Sequence, residues 1–128
     1  MSKSDITVIT SGLKTAMALS ECNIKTVILG GPVHSANLSS NSALAMQMIA
    51  HYNADVFFFS CDGLSAEGEI TDNSFEECLL RREFMKRADK NVLLIDPTKR
   101  NKKFKYNLCT LEEIDCCVTV ESGVAVFL

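Results

Sequence analysis

Turns built from small, hydroxyl-bearing or charged residues follow four apolar runs along this sequence. In chain order the turns are Thr10-Ser11-Gly12, Gly30-Gly31-Pro32, Ser60-Cys61-Asp62-Gly63 and Asp96-Pro97-Thr98-Lys99. Hydroxyl and carboxylate oxygens bind sugar hydroxyls, an ammonium group binds phosphate, and glycine lets a ligand approach the backbone closely. The set is therefore typical of a site for a phosphorylated polyol.

Each turn, taken alone, also has an ordinary structural interpretation. Ser11 fits a helix N-terminus, where backbone N–H groups attract anions but where simple caps are more common. Gly30 and Gly31 fit a plain turn, and Asp62 with the glycine after it is a frequent turn dipeptide. The lysine of the last turn lies in a basic run that fits a solvated loop. Only the order of the four turns after successive apolar runs favours binding.

The elements that would position these turns alternate along the chain. Runs rich in β-branched and aromatic residues predict strands that begin at Ile6, Thr26, Asp55, Val92 and Ile114. Apolar residues at helical spacing predict helices after the first turn, over residues 40–52, and after Ser74. Alternation of this kind predicts an α/β fold, a mostly parallel sheet with helices on both faces. Ligands bind beyond the carboxyl ends of such strands, which is where the four turns lie.

The third predicted helix carries carboxylates and arginines at regular spacing. Ser74 and Glu77 form a capping box, in which each side chain satisfies the other's backbone N–H. Glu77 with Arg81, and Glu83 with Arg87, are ion pairs four residues apart in the favourable order.

The last third of the chain gives weaker signals. Residues 99–107 are polar and basic and predict a loop, and residues 110–113 predict one capped helical turn. The run of residues 55–59 is too uniformly apolar for a strand with one wet face, so we expect both of its faces to be covered. Residues 124–128 predict a last short strand.

Composition excludes several classes of protein. A chain of 128 residues is expected to be a single domain, and its net charge of −3 argues against a nucleic-acid-binding surface. No apolar stretch reaches the length of a membrane span, and the polar first residues do not resemble a signal peptide, so we expect a cytoplasmic protein without a membrane partner. The six cysteines lack short paired spacing, and His34 and His51 add no nearby partner, so we expect structural thiols, no metal site and no cofactor.

The order of the segments resembles the effector-binding domain of DeoR-family regulators of sugar metabolism. The similar segments span residues 6–121 and are Val8-Ile9-Thr10-Ser11, Val27-Ile28-Leu29-Gly30-Gly31, Phe59-Ser60-Cys61-Asp62-Gly63-Leu64, Ile70-Thr71, Glu76-Glu77-Cys78, Arg81-Arg82, Leu94-Ile95-Asp96-Pro97-Thr98-Lys99 and Leu111-Glu112-Glu113-Ile114-Asp115. No single segment is specific, but their order and spacing together are. The resemblance implies the fold shared by ribose-phosphate isomerases, glucosamine-phosphate deaminases and coenzyme A transferases.

The resemblance also implies a function and a set of site residues. A phosphorylated sugar would bind and thereby alter DNA binding by an N-terminal winged helix-turn-helix domain. Asp62 would bond sugar hydroxyls, Lys99 would help to neutralise phosphate, and Thr10 and Ser11 would line the site. The remaining ligand-binding residues by this resemblance are Gly30, Gly31, Gly63, Glu77 and Arg81.

The sequence departs from the family pattern in several places. The main phosphate loop of the family, which precedes the strand beginning at Ile6, and the helix-turn-helix are not found in residues 1–128. Ser11 replaces the usual asparagine, and Ser60-Cys61 replaces glycine-alanine. We therefore expect residues 1–128 to be an effector-binding domain that lacks both features, and to contact DNA only through a separate N-terminal domain.

Two other classes of protein remain open on the sequence alone. An isomerase-like enzyme of the same fold would use Asp62 or Glu77 as base and Lys99 as electrostatic stabiliser. A degenerate oligomerisation module would self-associate without responding to sugar phosphates. We expect no catalytic residues, and we expect a homo-oligomer formed through exposed apolar surface. An isomerase assay and a ligand screen distinguish these hypotheses.

Overall fold

The chain divides into two compact units, Met1–His51 and Tyr52–Leu128. The computed structural model describes residues 5–35, 42–121 and 124–127. The predicted start of the second helix at Ser40 lies outside these residues. The prediction of one domain over residues 1–128 stays a prediction.

The first unit consists of two parallel strands and two helices. Its elements are β1 (Thr7–Thr10), α1 (Leu13–Glu21), β2 (Lys25–Ile28) and α2 (Ala43–Ile49). Val8 of β1 lies opposite Thr26 of β2 in the parallel register. The side chain of Ser42 caps α2 by accepting the N–H of Ala45, which is itself fully buried. The strand–helix–strand order predicted for this segment is therefore confirmed.

The second unit contains the larger sheet of the described residues. Its elements include β3 (Ala54–Phe59), α3 (Phe75–Arg87), β6 (Ala88–Ile95), β8 (Cys116–Glu121) and β9 (Val124–Phe127). β3, β6 and β8 are parallel neighbours, and β9 is antiparallel to β8. The α/β class with mostly parallel sheets is confirmed.

α3 covers one face of this sheet through aromatic side chains. The ring of Phe57 stacks on Phe59 at 5.1 Å and on Phe84 of α3 at 4.8 Å between centroids. On the other face, Val56 and Phe58 are 38% and 60% exposed. Strand side chains alternate, and within the second unit α3 packs on the side of Phe57 and Phe59. That both faces of this strand are covered stays a prediction.

A small antiparallel sheet in the second unit has no counterpart in the sequence prediction. It consists of β4 (Gly63–Leu64), β5 (Glu69–Asp72) and β7 (Tyr106–Thr110), with β5 in the centre. The loop prediction for residues 99–107 is therefore wrong at its ends, since residues 97–99 form a 3-10 turn and β7 begins at Tyr106. The polar character of these residues hid the strand, because strand formation here depends on pairing with β5 rather than on local propensity.

The ends of α3 confirm half of the predicted capping box and correct one predicted ion pair. The hydroxyl of Ser74 accepts the N–H of Glu77 at 3.2 Å, which is one half of the predicted capping box. Glu83 pairs with Lys86 at 2.9 Å rather than with Arg87. The helix ends at Arg87 and Ala88 is already extended, and the Nε atom of Arg87 is buried without a hydrogen-bond partner among the described residues.

Two buried threonines of the second unit provide a matched test of polar burial. The hydroxyl of Thr119 is buried and has no hydrogen-bond partner in the described part of the chain, so Thr119→Val should stabilise the fold by about 1 kcal/mol. The hydroxyl of Thr71 donates to the Gly63 carbonyl at 3.3 Å and accepts the Phe104 N–H at 2.9 Å. Thr71→Val should therefore cost about 2 kcal/mol. Urea unfolding measures both values, and a loss of stability in Thr119→Val would contradict the assignment.

Candidate ligand-binding site

Two predicted site residues meet at the carboxyl edge of the larger sheet. Asp62 lies between β3 and β4, and Lys99 ends the 3-10 turn Pro97–Lys99 that follows β6. Because β3 and β6 are parallel neighbours, the two segments leave the sheet at the same edge. The positive charge of Lys99 acts on the Asp62 carboxylate. Asp62 and Lys99 therefore lie at the same edge of the sheet, and that they bind one ligand stays a prediction.

Asp62 is held in its charged form by its surroundings. Partial burial raises the pKa of this carboxyl, but hydrogen bonds with Asp72 and Asn73 and the charge of Lys99 outweigh burial, so the pKa lies below its usual value. The backbone N–H of Asn73 donates to Oδ2 of Asp62 at 2.9 Å. Asp62 is thus an anionic hydrogen-bond acceptor at the edge of the sheet.

Asp72, which the sequence analysis does not single out, is the residue that connects the site. It is the last residue of β5, and its Oδ1 accepts the same Asn73 N–H at 2.9 Å that Asp62 accepts. Its other carboxylate oxygen contacts the guanidinium of Arg81. Burial, together with hydrogen bonding and repulsion from Asp62, raises the pKa of Asp72 to about 6, although Arg81 opposes the shift.

α3 presents Arg81 and Glu77 to this pair of carboxylates. Nη2 of Arg81 lies 3.7 Å from Oε2 of Glu77, one helical turn earlier, while Nη1 contacts Asp72. Glu77 and Asp72 are both buried, at 7% and 5% exposure. The guanidinium therefore compensates two buried carboxylates, and we call Asp62, Asp72, Glu77 and Arg81 the edge cluster.

Lys99 differs from Arg81 in having no carboxylate partner. Asp96 caps its 3-10 turn by accepting the N–H of Thr98 at 2.9 Å, and the Thr98 hydroxyl also contacts Asp96. Among the described residues no carboxylate lies within ion-pair distance of the Lys99 ammonium group. Lys99 is thus a half-buried cation next to an anionic acceptor.

Close packing requires glycine at position 63, and not the approach of a ligand to its backbone. It is buried, and a Cβ atom on it would lie 2.6 Å from the Lys102 carbonyl oxygen and 2.8 Å from the Phe104 ring. Its carbonyl accepts the Thr71 hydroxyl and the Cys61 thiol. The close contact between β4 and residues 102–104 explains the need for glycine here.

The other predicted site residues lie in the first unit. The hydroxyl of Thr10 accepts the Gly12 N–H at 3.1 Å, which closes the turn before α1, and Ser11 lies in this turn, half-buried. The N–H of Gly30 faces the Met48 sulfur at 3.1 Å, and Gly31 has a φ of 119°, which only glycine adopts readily. That these four residues join Asp62 and Lys99 in one site stays a prediction.

The cysteines near the edge cluster are free thiols with low reactivity. Burial, followed by the charge of Asp72, raises the pKa of Cys61 to about 12, and burial raises the pKa of Cys109 to about 12.

The described residues contain no group of His, Cys, Asp and Glu side chains able to hold a metal ion. None of the described helices is long and apolar enough to span a bilayer.

A groove beside the edge cluster contains none of the predicted site residues. Its volume is about 560 Å³, and it is lined in part by Leu64, Arg100 and Leu111. Leu64 and Arg100 directly follow Gly63 and Lys99 in the chain and form an isolated parallel bridge. Two residues of the groove wall are therefore direct chain neighbours of predicted site residues.

The described residues thus have an α/β fold, and the second unit places anionic and cationic groups at the carboxyl edge of a parallel sheet. The family model of the DeoR C-terminal sensor domain matches residues 1–121, and the chain belongs to this family. The family resemblance stated from the sequence is confirmed.

Similar proteins are regulators of transcription. The chain is 36% identical over 117 residues to the HTH-type transcriptional regulator GolR of Listeria innocua, which covers 91% of this chain and 46% of the relative. It is 29% identical over 111 residues to the L-fucose operon activator of Haemophilus influenzae, covering 85% and 44%. It is 23% identical over 121 residues to a putative aga operon transcriptional repressor of Escherichia coli O157:H7, covering 94% and 45%. The chain spans less than half the length of these relatives.

A substitution at Gly63 tests the close approach between β4 and residues 102–104. Gly63→Ala should cost about 3 kcal/mol, because the new methyl group meets a backbone carbonyl that cannot move freely. Gly12→Ala is the control, since a Cβ atom there finds its nearest neighbour at 3.5 Å and the φ of −92° suits alanine. Its effect should stay within about 1 kcal/mol. Chemical denaturation measures both, and equal effects would contradict the packing interpretation.

Proposed function

We propose that this sensor domain binds a phosphorylated sugar and that binding alters DNA binding by a separate helix-turn-helix domain. The observation that carries the proposal is the Lys99 ammonium group, which has no carboxylate partner among the described residues and lies near the anionic Asp62. A phosphate group would be the counter-ion of Lys99, and Asp62 would accept hydrogen bonds from sugar hydroxyls. The name of the L-fucose operon activator supports a sugar-derived effector.

The other predicted residues have supporting roles in this proposal. Arg81 and Glu77 compensate each other and Asp72, so they hold the site rather than bind phosphate directly. The Thr10-Ser11 turn and the Gly30-Gly31 turn remain ligand-binding candidates from the family resemblance, and Gly63 keeps the chain close behind Asp62. DNA contact belongs to the separate domain, since the chain itself is acidic.

A non-enzymatic function fits the site better than sugar-phosphate isomerisation. A general base for carbon acids needs a pKa near the working pH, whereas the surroundings of Asp62 lower its pKa. Asp72 has the higher pKa but is buried against Arg81. Isomerisation of ribose or fructose phosphates by the purified protein would overturn the proposed sensing function in favour of an enzyme.

Thermal shift with a panel of ribose, fructose, glucosamine and tagatose phosphates tests the proposal. A ligand at 100 times its dissociation constant stabilises the fold by about 2.7 kcal/mol. At this size each kcal/mol raises the melting temperature by roughly 3–6 °C. We expect a clear rise with at least one sugar phosphate and none with the unphosphorylated sugar.

Lys99→Ala should abolish this rise while leaving the melting temperature of the free protein nearly unchanged, because Lys99 forms no ion pair with the described residues. Lys90→Ala is the matched control, since Lys90 is exposed near the amino end of β6 and its loss changes the net charge equally. A normal response in Lys99→Ala would contradict the proposed phosphate contact. If no sugar phosphate raises the melting temperature of the unsubstituted protein, the proposed sensing of a sugar phosphate is wrong.

The exposed apolar face of the larger sheet supports self-association. Val56 and Phe58 of β3 and Leu94 of β6 are 38%, 60% and 42% exposed, and Phe58 lies opposite Val92, two residues before Leu94. We propose that this face contributes to a homo-oligomer, because contiguous apolar surface favours contact with another apolar surface.

Phe58→Lys tests the oligomer. The substituted lysine would place a charge in the proposed interface, so the sedimentation coefficient at high protein concentration should fall towards that of a monomer. Phe75→Lys is a control of equal charge on another exposed aromatic residue, 50% exposed on α3. A protein that is monomeric without any substitution would contradict the proposal.

A further inference from the structure

The edge cluster contains two carboxylates that converge on a single donor. Oδ2 of Asp62 and Oδ1 of Asp72 each lie 2.9 Å from the backbone nitrogen of Asn73. One N–H cannot compensate two negative charges at such short range, and two carboxylates in one site favour the binding of a shared proton. Burial raises the pKa of Asp72, and hydrogen bonding with Asp62 adds to that rise.

We propose that Asp72 positions Asp62 for the effector through a proton shared between the two carboxylates, and that affinity for a phosphorylated sugar falls when this proton is lost. The inference rests on the function proposed above and assigns Asp72 a role in the same site. Asp72 is 5% exposed and in contact with Arg81, so it acts through Asp62 rather than by touching the effector.

The groups around Asp72 come from each element that packs against it. α3 contributes the charges of Arg81 and Glu77 and the thiol of Cys78, whose pKa burial raises. The segment after β3 contributes Asp62 and the neutral thiol of Cys61. β7 places Tyr106 opposite Asp72 in the antiparallel register, and β4 contributes no charged residue.

Arg81 does not remove the need for a shared proton. Its guanidinium is divided between Asp72 and the buried Glu77, so a single positive charge faces two carboxylates before Asp62 is counted. Lys99 lies on the side of Asp62 and is the cation that the proposed phosphate would use. Because Arg81 contacts both Asp72 and Glu77, its charge only partly offsets a second negative charge on the Asp62–Asp72 pair, which favours one proton for the pair.

The direction of the pH effect follows from the ionisation of this pair. The pKa of Asp72 is about 6 and that of Asp62 lies below its usual value, so near pH 5 the pair holds one proton and one negative charge. Above pH 6 the proton leaves, and a second negative charge appears beside Asp62. That charge repels a bound phosphate and weakens the hold of Asp72 on Asp62, so affinity should fall between pH 5 and pH 7.5.

Asp72→Asn isolates this proton, because the amide keeps a donor for Asp62 and an acceptor for Arg81 at every pH. Sugar phosphates themselves ionise near pH 6, but the same ligand is used with both proteins. The ratio of the two dissociation constants therefore reports the difference between the proteins. At pH 5 the unsubstituted protein and Asp72→Asn should bind each sugar phosphate with dissociation constants that agree within about twofold. At pH 7.5 the unsubstituted protein should bind roughly fivefold more weakly than Asp72→Asn. Asp72→Ala should bind weakly at both pH values, since it retains neither the donor nor the acceptor.

A titration without ligand separates the two proposals. Carbon NMR of labelled aspartate carboxyl groups in the free protein should show one group that titrates near pH 6 and that disappears in Asp72→Asn. If no carboxyl titrates there, or if sugar phosphates bind both proteins with the same pH dependence, the shared proton is overturned while the sensing function stands. If no member of the panel binds at any pH, the sensing function fails, and the role of Asp72 in effector recognition fails with it.

Discussion

The contact between the Asp72 carboxylate and the Arg81 guanidinium is the interaction on which the candidate site depends. A buried carboxylate is costly unless a charge and hydrogen bonds compensate it. Arg81 supplies the charge from α3 and the Asn73 N–H supplies a hydrogen bond. Because Asp72 ends β5, the contact ties the small antiparallel sheet to the helix that covers the larger sheet. Asp62 is held at the junction of these elements.

The second unit joins two sheets by very close packing at one point of the chain. β3 leaves the larger sheet at Phe59, and four residues later Gly63 begins β4 in the smaller sheet. The carbonyl of Gly63 is bonded to Thr71, and residues 102–104 pack where a side chain would otherwise stand. The Asp62 carboxylate beside this short link is held by the Asn73 N–H, which donates to its Oδ2 at 2.9 Å. A rigid acceptor suits recognition of a ligand with fixed hydroxyl positions.

The two cations of the site have different roles, although both follow family positions in the sequence. Arg81 lies between two buried carboxylates and forms structural ion pairs with both. Lys99 lies on a short capped turn without a carboxylate partner among the described residues. Arginine suits the first role because its planar guanidinium binds two acceptors at once, and lysine suits the second as a compact point charge. This division favours an effector that carries a negative group at one end and hydroxyls towards Asp62.

Local patterns in the sequence determined the parallel strands, the three helices and the position of Asp62 and Lys99 at one edge. Strand runs and helical spacing are short-range signals, and the carboxyl ends of parallel strands must meet at the same edge of a sheet. The same signals did not reveal β7, because it begins at the end of a polar, basic run and its short mixed sequence is held as a strand by pairing with β5. The role of Asp72 was equally hidden, because nothing in its spacing marks it.

Only the tertiary structure decided which charged groups compensate one another. The sequence placed Glu83 with Arg87 by helical spacing, but the end of α3 turns Arg87 inward and Lys86 takes its place. It also placed Arg81 with Glu77, which is correct but incomplete, since Arg81 also contacts Asp72 from a strand nine residues earlier. Charge pairing depends on distance in space and on burial, and both are properties of the packed chain.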